Sequence, residues 1–260
     1  MIKQRKIELL APAKNLECGI EAVNHGADAV YIGAPKFGAR AAAVNSLEDI
    51  AALVEHAHLY NARIYVTVNT ILKEEELKET EEMIHALYRI GVDALIVQDM
   101  GITKLNLPPI PLHASTQMAV TGARGAALLK EAGVSRIVTA RELSLKEIHE
   151  IYKETGMEIE SFVHGALCYC YSGMCLFSSM LGGRSGNRGR CAQPCRLPYT
   201  AYKGREQISQ EEQAYLLSPK DMCTVDILPE ILQAGVYSLK IEGRMKRPEY
   251  AAGVTSIYRK

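Results

Sequence analysis

The amino-acid sequence predicts an α/β fold, a (β/α)8 barrel of the TIM type, with a cysteine-rich insertion after strand 7. Short apolar runs alternate along the chain with longer segments of helical period, in about eight units. A glycine closes four of the helices and leads into the next strand, at Gly26, Gly91, Gly133 and Gly235. Because such a glycine ends a helix in the left-handed conformation, the repeated junction indicates a parallel sheet. The alternative is an open, doubly wound sheet, but about eight units in one chain favour a closed barrel.

The elements follow one another in the order that a barrel requires. Apolar runs such as IELLA and RIYVTV are typical of buried strands, and the segments between such runs have helical period. Capping-box-like sequences at Ser46 and Ser144 predict the starts of two helices, and the pair Pro108 and Pro109 should end a third. We expect strands at 7–11, 30–32, 63–68, 94–98, 112–115, 136–139, 158–163 and 239–241, and helices at 16–24, 46–60, 74–90, 101–105, 122–131, 144–155 and 248–258.

Length and composition are those of one globular domain, which we place at residues 1–260. The chain is 48% hydrophobic and 23% charged, and its 30 basic residues balance 30 acidic ones. A nucleic-acid partner would therefore have to bind a local basic surface. No run approaches the ~18 apolar residues of a membrane span, and the N-terminus enters a strand without a signal-peptide pattern. We expect a cytoplasmic protein with no membrane partner.

Residues 166–223 form the insertion and carry most of the cysteines. The six cysteines concerned are Cys168, Cys170, Cys175, Cys191, Cys195 and Cys223. Barrels of this type place their active sites at the C-terminal ends of the strands, so these cysteines should cover the barrel mouth. In a chain without a secretion signal they indicate metal binding or catalysis rather than disulfides. The seventh, Cys18, lies in the first helix and should be an inert core residue.

Cysteine spacing alone leaves the metal open. Structural zinc sites use paired cysteine knuckles, and only Cys191 and Cys195 have that spacing. The ferredoxin-type run C-x2-C-x2-C is absent, as is the triplet C-x3-C-x2-C. Well-separated thiolates suit a [4Fe–4S] cluster, which needs four of them. Zinc is the second alternative, and buried or redox-active thiols are the third.

A glycine- and arginine-rich loop separates two groups of cysteines. Arg184, Arg188 and Arg190 lie in it, and no acidic residue occurs between residues 184 and 205. Arginines bind phosphates through their guanidinium forks and stack on bases. The sequence therefore predicts that these three residues bind a nucleic acid, against the alternative of an ordinary solvated face.

Four polar residues at strand ends are candidates for catalysis. His113 and His164 end strands 5 and 7, while Glu242 and Arg244 follow strand 8, where a barrel presents catalytic groups. Arg244 could hold a carboxylate by a bidentate pair. The alternatives are structural histidines and an ion pair between Glu242 and Arg244. Further candidates by the same argument are Asn69, Gln98, Asp99 and Arg141.

Around the first cysteines the sequence resembles peptidase family U32, the collagenase-like peptidases. The residues that carry the resemblance are Glu160, Phe162, Gly165, Ala166, Cys168, Gly173, Cys175 and Ser178. Phe177 departs from the family pattern, where an aliphatic residue is expected. The sequences GRSGNRGRCAQPCR and LLSPKDMC are also similar to the family, and the likeness runs from LLAPA to SLKIEGRMKRPEY.

The resemblance implies an iron–sulfur enzyme that hydroxylates without oxygen. Similar members hold a [4Fe–4S] cluster on four cysteines, and the matching residues here are Cys168, Cys175, Cys191 and Cys223, with Cys195 as an alternative ligand. Their substrates are the wobble uridine of tRNA, a cytidine of ribosomal RNA or a ubiquinone precursor. The RNA-acting members depend on prephenate, which is therefore the expected co-substrate.

We expect tRNA as the partner and C5 hydroxylation of its wobble uridine as the reaction. The alternatives are hydroxylation of a ribosomal RNA cytidine and a U32-type peptidase activity, although the sequence contains neither H-E-x-x-H nor G-x-S-x-G. A homologous partner subunit is a further alternative, because ubiquinone-pathway relatives act together. Many relatives are longer, so a C-terminal extension is expected to be missing from this chain.

Overall fold

Eight parallel strands form the centre of the molecule in a computed structural model that describes residues 7–39 and 45–260. They are β1 (Glu8–Pro12), β2 (Ala29–Gly33), β3 (Arg63–Val68), β4 (Ala94–Val97), β5 (Leu112–Ala114), β6 (Val134–Val138), β7 (Glu158–Gly165) and β11 (Val236–Ile241). Three further strands of two residues each lie in the insertion: β8 (Tyr202–Lys203), β9 (Glu206–Gln207) and β10 (Met222–Cys223).

The eight strands close into a barrel. Neighbours pair in parallel from β1 to β7, β7 pairs with β11, and β11 pairs with β1 through Glu8 opposite Ser238. No edge remains in this ring of strands, so the (β/α)8 fold is confirmed and the doubly wound alternative is wrong.

Helices cover the outside of the barrel. They are α1 (Leu16–Asn24), α2 (Leu47–Leu59), α3 (Leu77–Arg89), α4 (Ala123–Glu131), α5 (Leu145–Thr155), α7 (Leu228–Gln233) and α8 (Pro248–Arg259), whereas α6 (Phe177–Gly182) lies in the insertion. Ser46 accepts a hydrogen bond from the amide of Asp49, and Ser144 forms a full capping box with Glu147. The four junction glycines all have φ between 89° and 99°, which is the left-handed region that the repeated pattern predicts.

Some elements differ from the sequence prediction. The expected helix at 74–90 begins with a 3-10 turn (Glu74–Glu76) before α3, and the expected helix at 101–105 is a 3-10 turn (Met100–Lys104). The final barrel strand begins three residues earlier than expected, at Val236. Helices α6 and α7 were not predicted, because segments of six residues are too short to show helical period.

Four charged residues form a buried ionic network in the barrel interior. The Arg136 guanidinium lies 2.5 Å from Glu8 Oε1 and 3.3 Å from Glu160 Oε2, and Lys240 Nζ lies 2.6 Å from Glu160 Oε1. All four residues are at most 4% exposed. Burial alone would destabilise such charges, and their mutual pairing offsets that cost. The network joins β1, β6, β7 and β11, the strands at which the barrel closes.

The insertion, residues 166–223, leaves β7 at the C-terminal end of the barrel. It contains α6, the hairpin of β8 and β9, and β10, which returns antiparallel to the end of β7 with Cys223 opposite His164. In residues 7–39 and 45–260, no helix is long and apolar enough to cross a membrane. The expectation of no signal peptide falls partly on residues 1–6, which lie outside the described residues.

Candidate active site

A cavity of about 640 Å³ lies at the C-terminal ends of the strands, beneath the insertion. Its floor is built from residues at the strand ends, and its walls come from two parts of the insertion, residues 166–177 and 186–196. The volume is in the range that holds small molecules. Barrels of this fold carry their active sites at the C-terminal ends of the strands, so an active site is expected at this cavity.

Five cysteines line the cavity walls: Cys168, Cys170, Cys175, Cys191 and Cys195. Burial raises the pKa of Cys170, and the neighbouring Cys175 raises it further. Burial also raises the pKa of Cys195, as do the nearby thiols of Cys168, Cys191 and Cys175. The cysteines of both parts of the insertion are thus close enough to act on one another electrostatically.

Cys223 lies apart from these five. It is exposed and is not among the residues that line the cavity. Burial raises the pKa of Tyr258, and the nearby Cys223 thiol adds to this effect. The Tyr258 hydroxyl also lies 3.4 Å from His164 Nδ1. The structure therefore brings Cys168, Cys175 and Cys191 together in the cavity and places Cys223 beside Tyr258.

Neither candidate histidine lines the cavity. His113 is 4% exposed inside the barrel, with its ring edge-on to Tyr65 at 4.9 Å. Burial and the nearby charges of Arg136 and Lys240 hold its pKa well below the usual value, so it is a neutral imidazole. His164 is half-buried next to Tyr258, and burial lowers its pKa as well.

Glu242 and Arg244 do reach the cavity. The hydroxyl of Tyr31 donates to Glu242 Oε2 at 3.2 Å, and Arg244 Nη1 donates to Thr67 Oγ1 at 2.5 Å. Arg244 is only 6% exposed, and its guanidinium carbon lies 5.7 Å from the centre of the Tyr31 ring. The strand-end argument thus led to two residues that line the cavity, and their catalytic role stays a prediction.

Lys240 is a cavity residue that sequence reasoning missed. Its Nζ lies 4.4 Å from the centre of the Tyr31 ring and 2.6 Å from Glu160 Oε1. Burial lowers the pKa of Lys240, and Glu160 partly opposes this effect. The sequence did contain a signal for this residue, a lysine within the apolar run VYSLKI. A charged side chain that faces a barrel interior needs an ionic partner or a ligand.

Among the further candidates, Asn69 and Arg141 line the cavity. Gln98 is not among the lining residues, and the carboxylate of Asp99 accepts hydrogen bonds from the amides of Gly101 and Leu72. Asp99 therefore stabilises local backbone.

The arginine loop is anchored to the barrel by its middle arginine. Arg188 forms a bidentate pair with Glu76, with both N–O distances 2.6 Å, and also donates to the carbonyl of Ile71. Gly189 packs so closely on the backbone that a Cβ there would lie 2.5 Å from the carbonyl oxygen of Gly38. By contrast, the side chains of Arg184 and Arg190 are exposed. Two of the three predicted nucleic-acid contacts are thus on the surface, and the third holds the loop in place.

Two more contacts fix the insertion over the mouth. Ser172 donates its hydroxyl to Glu142 Oε2 at 2.9 Å. Arg196 binds the carbonyls of Leu167 and Pro219, which lie in distant parts of the insertion. The cavity walls are therefore positioned by hydrogen bonds to the barrel loops and between the insertion's own segments.

Comparison with known proteins places this site in a family. The sequence profile of peptidase family U32 matches residues 14–260. The 23S rRNA 5-hydroxycytidine C2501 synthase of Escherichia coli (strain K12) is 50% identical over 258 residues, which is 99% of this chain and 39% of that protein. The tRNA hydroxylation protein P1 of Bacillus subtilis (strain 168) is 42% identical over 265 residues, which is 98% of this chain and 63% of that protein. The chain thus spans less than two thirds of the length of these two relatives.

A solved structure has the same fold. The U32 peptidase Mk0906 superposes with a TM-score of 0.62 at 12% identity, covering 94% of this chain and 96% of that chain. At this identity the likeness concerns the barrel alone.

Proposed function

This chain belongs to peptidase family U32, and from that premise we propose that it hydroxylates a pyrimidine base of RNA at C5 without using molecular oxygen. The observation that carries the proposal is the 50% identity, over 99% of this chain, to a protein named as a 5-hydroxycytidine synthase of 23S rRNA. The aligned stretch of 258 residues covers 99% of this chain, which includes the barrel and the insertion. The proposed reaction would take place in the cavity beneath the insertion.

Two RNA targets follow from the relatives. The expected wobble uridine of tRNA is supported by the 42% identity to a tRNA hydroxylation protein. The higher identity, 50%, favours a cytidine of 23S rRNA as the first candidate. Hydroxylation of either target is an oxidation at C5 of a pyrimidine, so the same reaction in the cavity would apply to both.

We propose a [4Fe–4S] cluster as the cofactor and prephenate as the co-substrate. Cys168, Cys175 and Cys191 would hold the cluster, with Cys223 as the fourth ligand by resemblance and Cys195 as its competitor. In the part of the chain that the structure describes, no three His, Cys, Asp or Glu side chains converge as ligands of a single ion do. A cluster binds each cysteine to a different iron, so thiols spread around a cavity fit it better than they fit one zinc ion. When bound, a cluster would supply one-electron transfer next to the base.

The geometry gives the peptidase alternative little support. A cysteine peptidase needs a thiol within hydrogen-bonding reach of a base. Within residues 7–39 and 45–260, no cysteine thiol is hydrogen-bonded to a histidine, and His164 Nδ1 faces Tyr258. The two cysteines with raised pKa would be protonated, which is unfavourable for a nucleophile.

The test is nucleoside mass spectrometry of separated 23S rRNA and tRNA from cells that lack the gene. We expect 5-hydroxycytidine to disappear from 23S rRNA, or 5-hydroxyuridine and its derivatives from tRNA. Re-expression of the parent should restore the nucleoside, and re-expression of Cys168→Ala should not. Survival of every hydroxylated nucleoside in the deletion strain would rule the proposal out.

A further inference from the structure

Two tyrosines of the cavity wall have exposed rings without a protein partner. Tyr169 and Tyr171 line the cavity and are 55% and 68% exposed. In the part of the chain that the structure describes, neither hydroxyl is hydrogen-bonded, and neither ring is stacked on another aromatic ring or on a cation. Phe177 on the same wall differs, because its ring stacks on that of Tyr199 at 6.4 Å. Tyrosine rings usually bury much of their surface, so these two are available to a ligand.

The backbone that carries Tyr171 is fixed against the barrel. The next residue, Ser172, is buried, and its hydroxyl donates to Glu142 Oε2 at 2.9 Å. Gly173 follows with a φ of 74°, and a Cβ there would lie 2.3 Å from the carbonyl oxygen of Gln117. The exposed ring is therefore presented by an ordered segment, as a preorganised binding surface requires.

Aliphatic side chains extend this surface at the mouth of the cavity. Leu176 lies on the same part of the insertion and is 62% exposed, while Met245 follows β11 and is 44% exposed. Together with Tyr169 and Tyr171 they form an apolar rim around the cavity. Exposed apolar groups that gather at one cavity indicate a surface that binds a partner.

The charges beside the apolar rim favour a polyanion as that partner. The charged residues that line the cavity are five basic ones and one acidic one, namely Arg141, Arg196, Lys240, Arg244, Lys246 and Glu242. Lys246 is exposed next to Met245, and the exposed Arg184 and Arg190 lie on the arginine loop. Aromatic rings among cations are the combination that binds unpaired RNA, because bases stack on the rings and the cations bind phosphates.

The position of the cavity requires the RNA to be unpaired. It lies beneath the insertion, and a base within a duplex is stacked between its neighbours and cannot enter. A pyrimidine that enters leaves its flanking bases without a stacking partner. We propose that Tyr169 and Tyr171 are a stacking surface for these flanking bases, so that the chain selects single-stranded RNA over duplexes. The inference rests on the proposed function in taking RNA as the occupant, but its test measures binding without hydroxylation.

The test is fluorescence anisotropy on the full chain, prepared anaerobically, at one fixed salt concentration. The probe is a labelled uridine strand of about 12 nucleotides, alone or annealed to its adenosine complement. We expect the single strand to bind at least about tenfold more tightly than the duplex, because only unpaired bases offer their faces to the rings. Tyr171→Leu should weaken binding of the single strand at least about fivefold, the loss of one stacking contact. Tyr171→Phe keeps the ring and should bind like the parent.

A single 2-aminopurine in the strand reports stacking directly, because its fluorescence is quenched when it stacks on a ring. The parent and Tyr171→Phe should quench it, and Tyr171→Leu should quench it less. Tyr169→Leu is the second variant and should show the same two losses. The iron content of both leucine variants should equal that of the parent, which separates lost stacking from a lost cluster.

The matched control is Tyr60→Leu, which should leave RNA binding unchanged. Tyr60 is 61% exposed and lies between the end of α2 and the start of β3, at the end of the barrel opposite the cavity. Equal affinity of the parent and both leucine variants, or equal affinity for single strand and duplex, would overturn the stacking surface.

Two further results have separate meanings. If Tyr171→Leu binds RNA like the parent but self-associates less in size-exclusion chromatography, the apolar rim belongs to an interface with a second copy of the chain, and the inference is wrong. Hydroxylated nucleosides that survive gene deletion would reject the proposed function and leave a measured stacking surface standing.

Discussion

Cys195 and Cys223 differ in what surrounds their thiols. Cys195 is half-buried in the cavity wall, where burial raises its pKa and three other cysteines raise it further. Cys223 is exposed on β10, with its thiol near the Tyr258 hydroxyl. To bind a cluster with Cys168 and Cys175, the Cys223 side chain would have to turn away from Tyr258.

We expect Cys223→Ala to lose the cluster and Cys195→Ala to keep it. The reason is the resemblance of LLSPKDMC to the family's ligand sequence. Iron and acid-labile sulfide, measured in anaerobically purified protein, should be equal and near four each in the parent.

The matched control for that measurement is Cys18→Ala. Cys18 is 2% exposed in the barrel core, so its loss should cost stability and leave iron content unchanged. If instead Cys195→Ala is colourless and Cys223→Ala is brown, the fourth ligand is Cys195, which lines the cavity together with Cys168, Cys175 and Cys191.

At the scale of elements, the loop of residues 182–190 is positioned by one ion pair. The bond from Arg188 lowers the pKa of Glu76 from its ordinary value of 4.5 to about 2. Since the folded-state pKa is lowered, the stabilisation is fully present above pH ~4.5 and is lost as the pH falls towards 2. At neutral pH the loop is therefore anchored, and Arg184 and Arg190 remain exposed on it.

We expect the arginines of this loop to affect RNA binding in two different ways. Arg184→Ala should weaken binding and flatten the slope of log K against log salt by about 0.7–0.9, because one phosphate contact and its released counterion are lost. Arg188→Ala should weaken binding by freeing the loop and leave the slope closer to that of the parent. Fluorescence anisotropy with a labelled RNA, measured at several salt concentrations, gives both quantities.

Glu76→Gln is the control for the loop, since it removes the anchor and leaves all three arginines in place. Its binding should resemble that of Arg188→Ala. Identical slopes for the parent and Arg184→Ala would show that the RNA docks elsewhere on the molecule.

The sequence predicted the elements better than their contacts. Periodicity and the junction glycines located the barrel strands to within a few residues, because both are local properties. The spacing of Arg184, Arg188 and Arg190 could not show that Arg188 pairs with Glu76, which lies 112 positions away in the chain. The separation of Cys223 from the other thiols likewise depends on the pairing of β10 with β7, and strands of two residues leave no period to detect.

At the scale of the whole molecule, buried ion pairs and hydrogen bonds join the strands at which the barrel closes. Glu8 accepts hydrogen bonds from Arg136, from the hydroxyl of Tyr65 at 2.6 Å and from that of Ser238 at 2.8 Å. Arg136 pairs with carboxylates on β1 and β7, so its removal would take an ionic partner from both, leaving Glu8 with Arg63 at 3.7 Å and Glu160 with Lys240 at 2.6 Å.

We expect Arg136→Met to lower the free energy of unfolding by about 3–5 kcal/mol, the cost of breaking a buried pair from one side. This corresponds to a fall in Tm of roughly 6–20 °C for a chain of this size. Lys240→Met should cost less, because Glu160 keeps its contact with Arg136. Thermal unfolding followed by circular dichroism provides the measurement.

Arg124→Met on the outer surface serves as the control for charge loss alone and should stay within about 0.5 kcal/mol of the parent. A stability of Arg136→Met equal to that of this control would mean that the buried ion pairs of Arg136 do not stabilise the folded chain.

The position of β11 between β7 and β1 also orders events during protein synthesis. The cysteines at 168–223 leave the ribosome before residues 236–241, which supply the strand that closes the ring. Until then β1 to β7 can form only an open sheet, and the thiols have neither Lys240 nor Arg244 beneath them. The cavity that would hold the proposed cluster is therefore complete only after translation has passed β11.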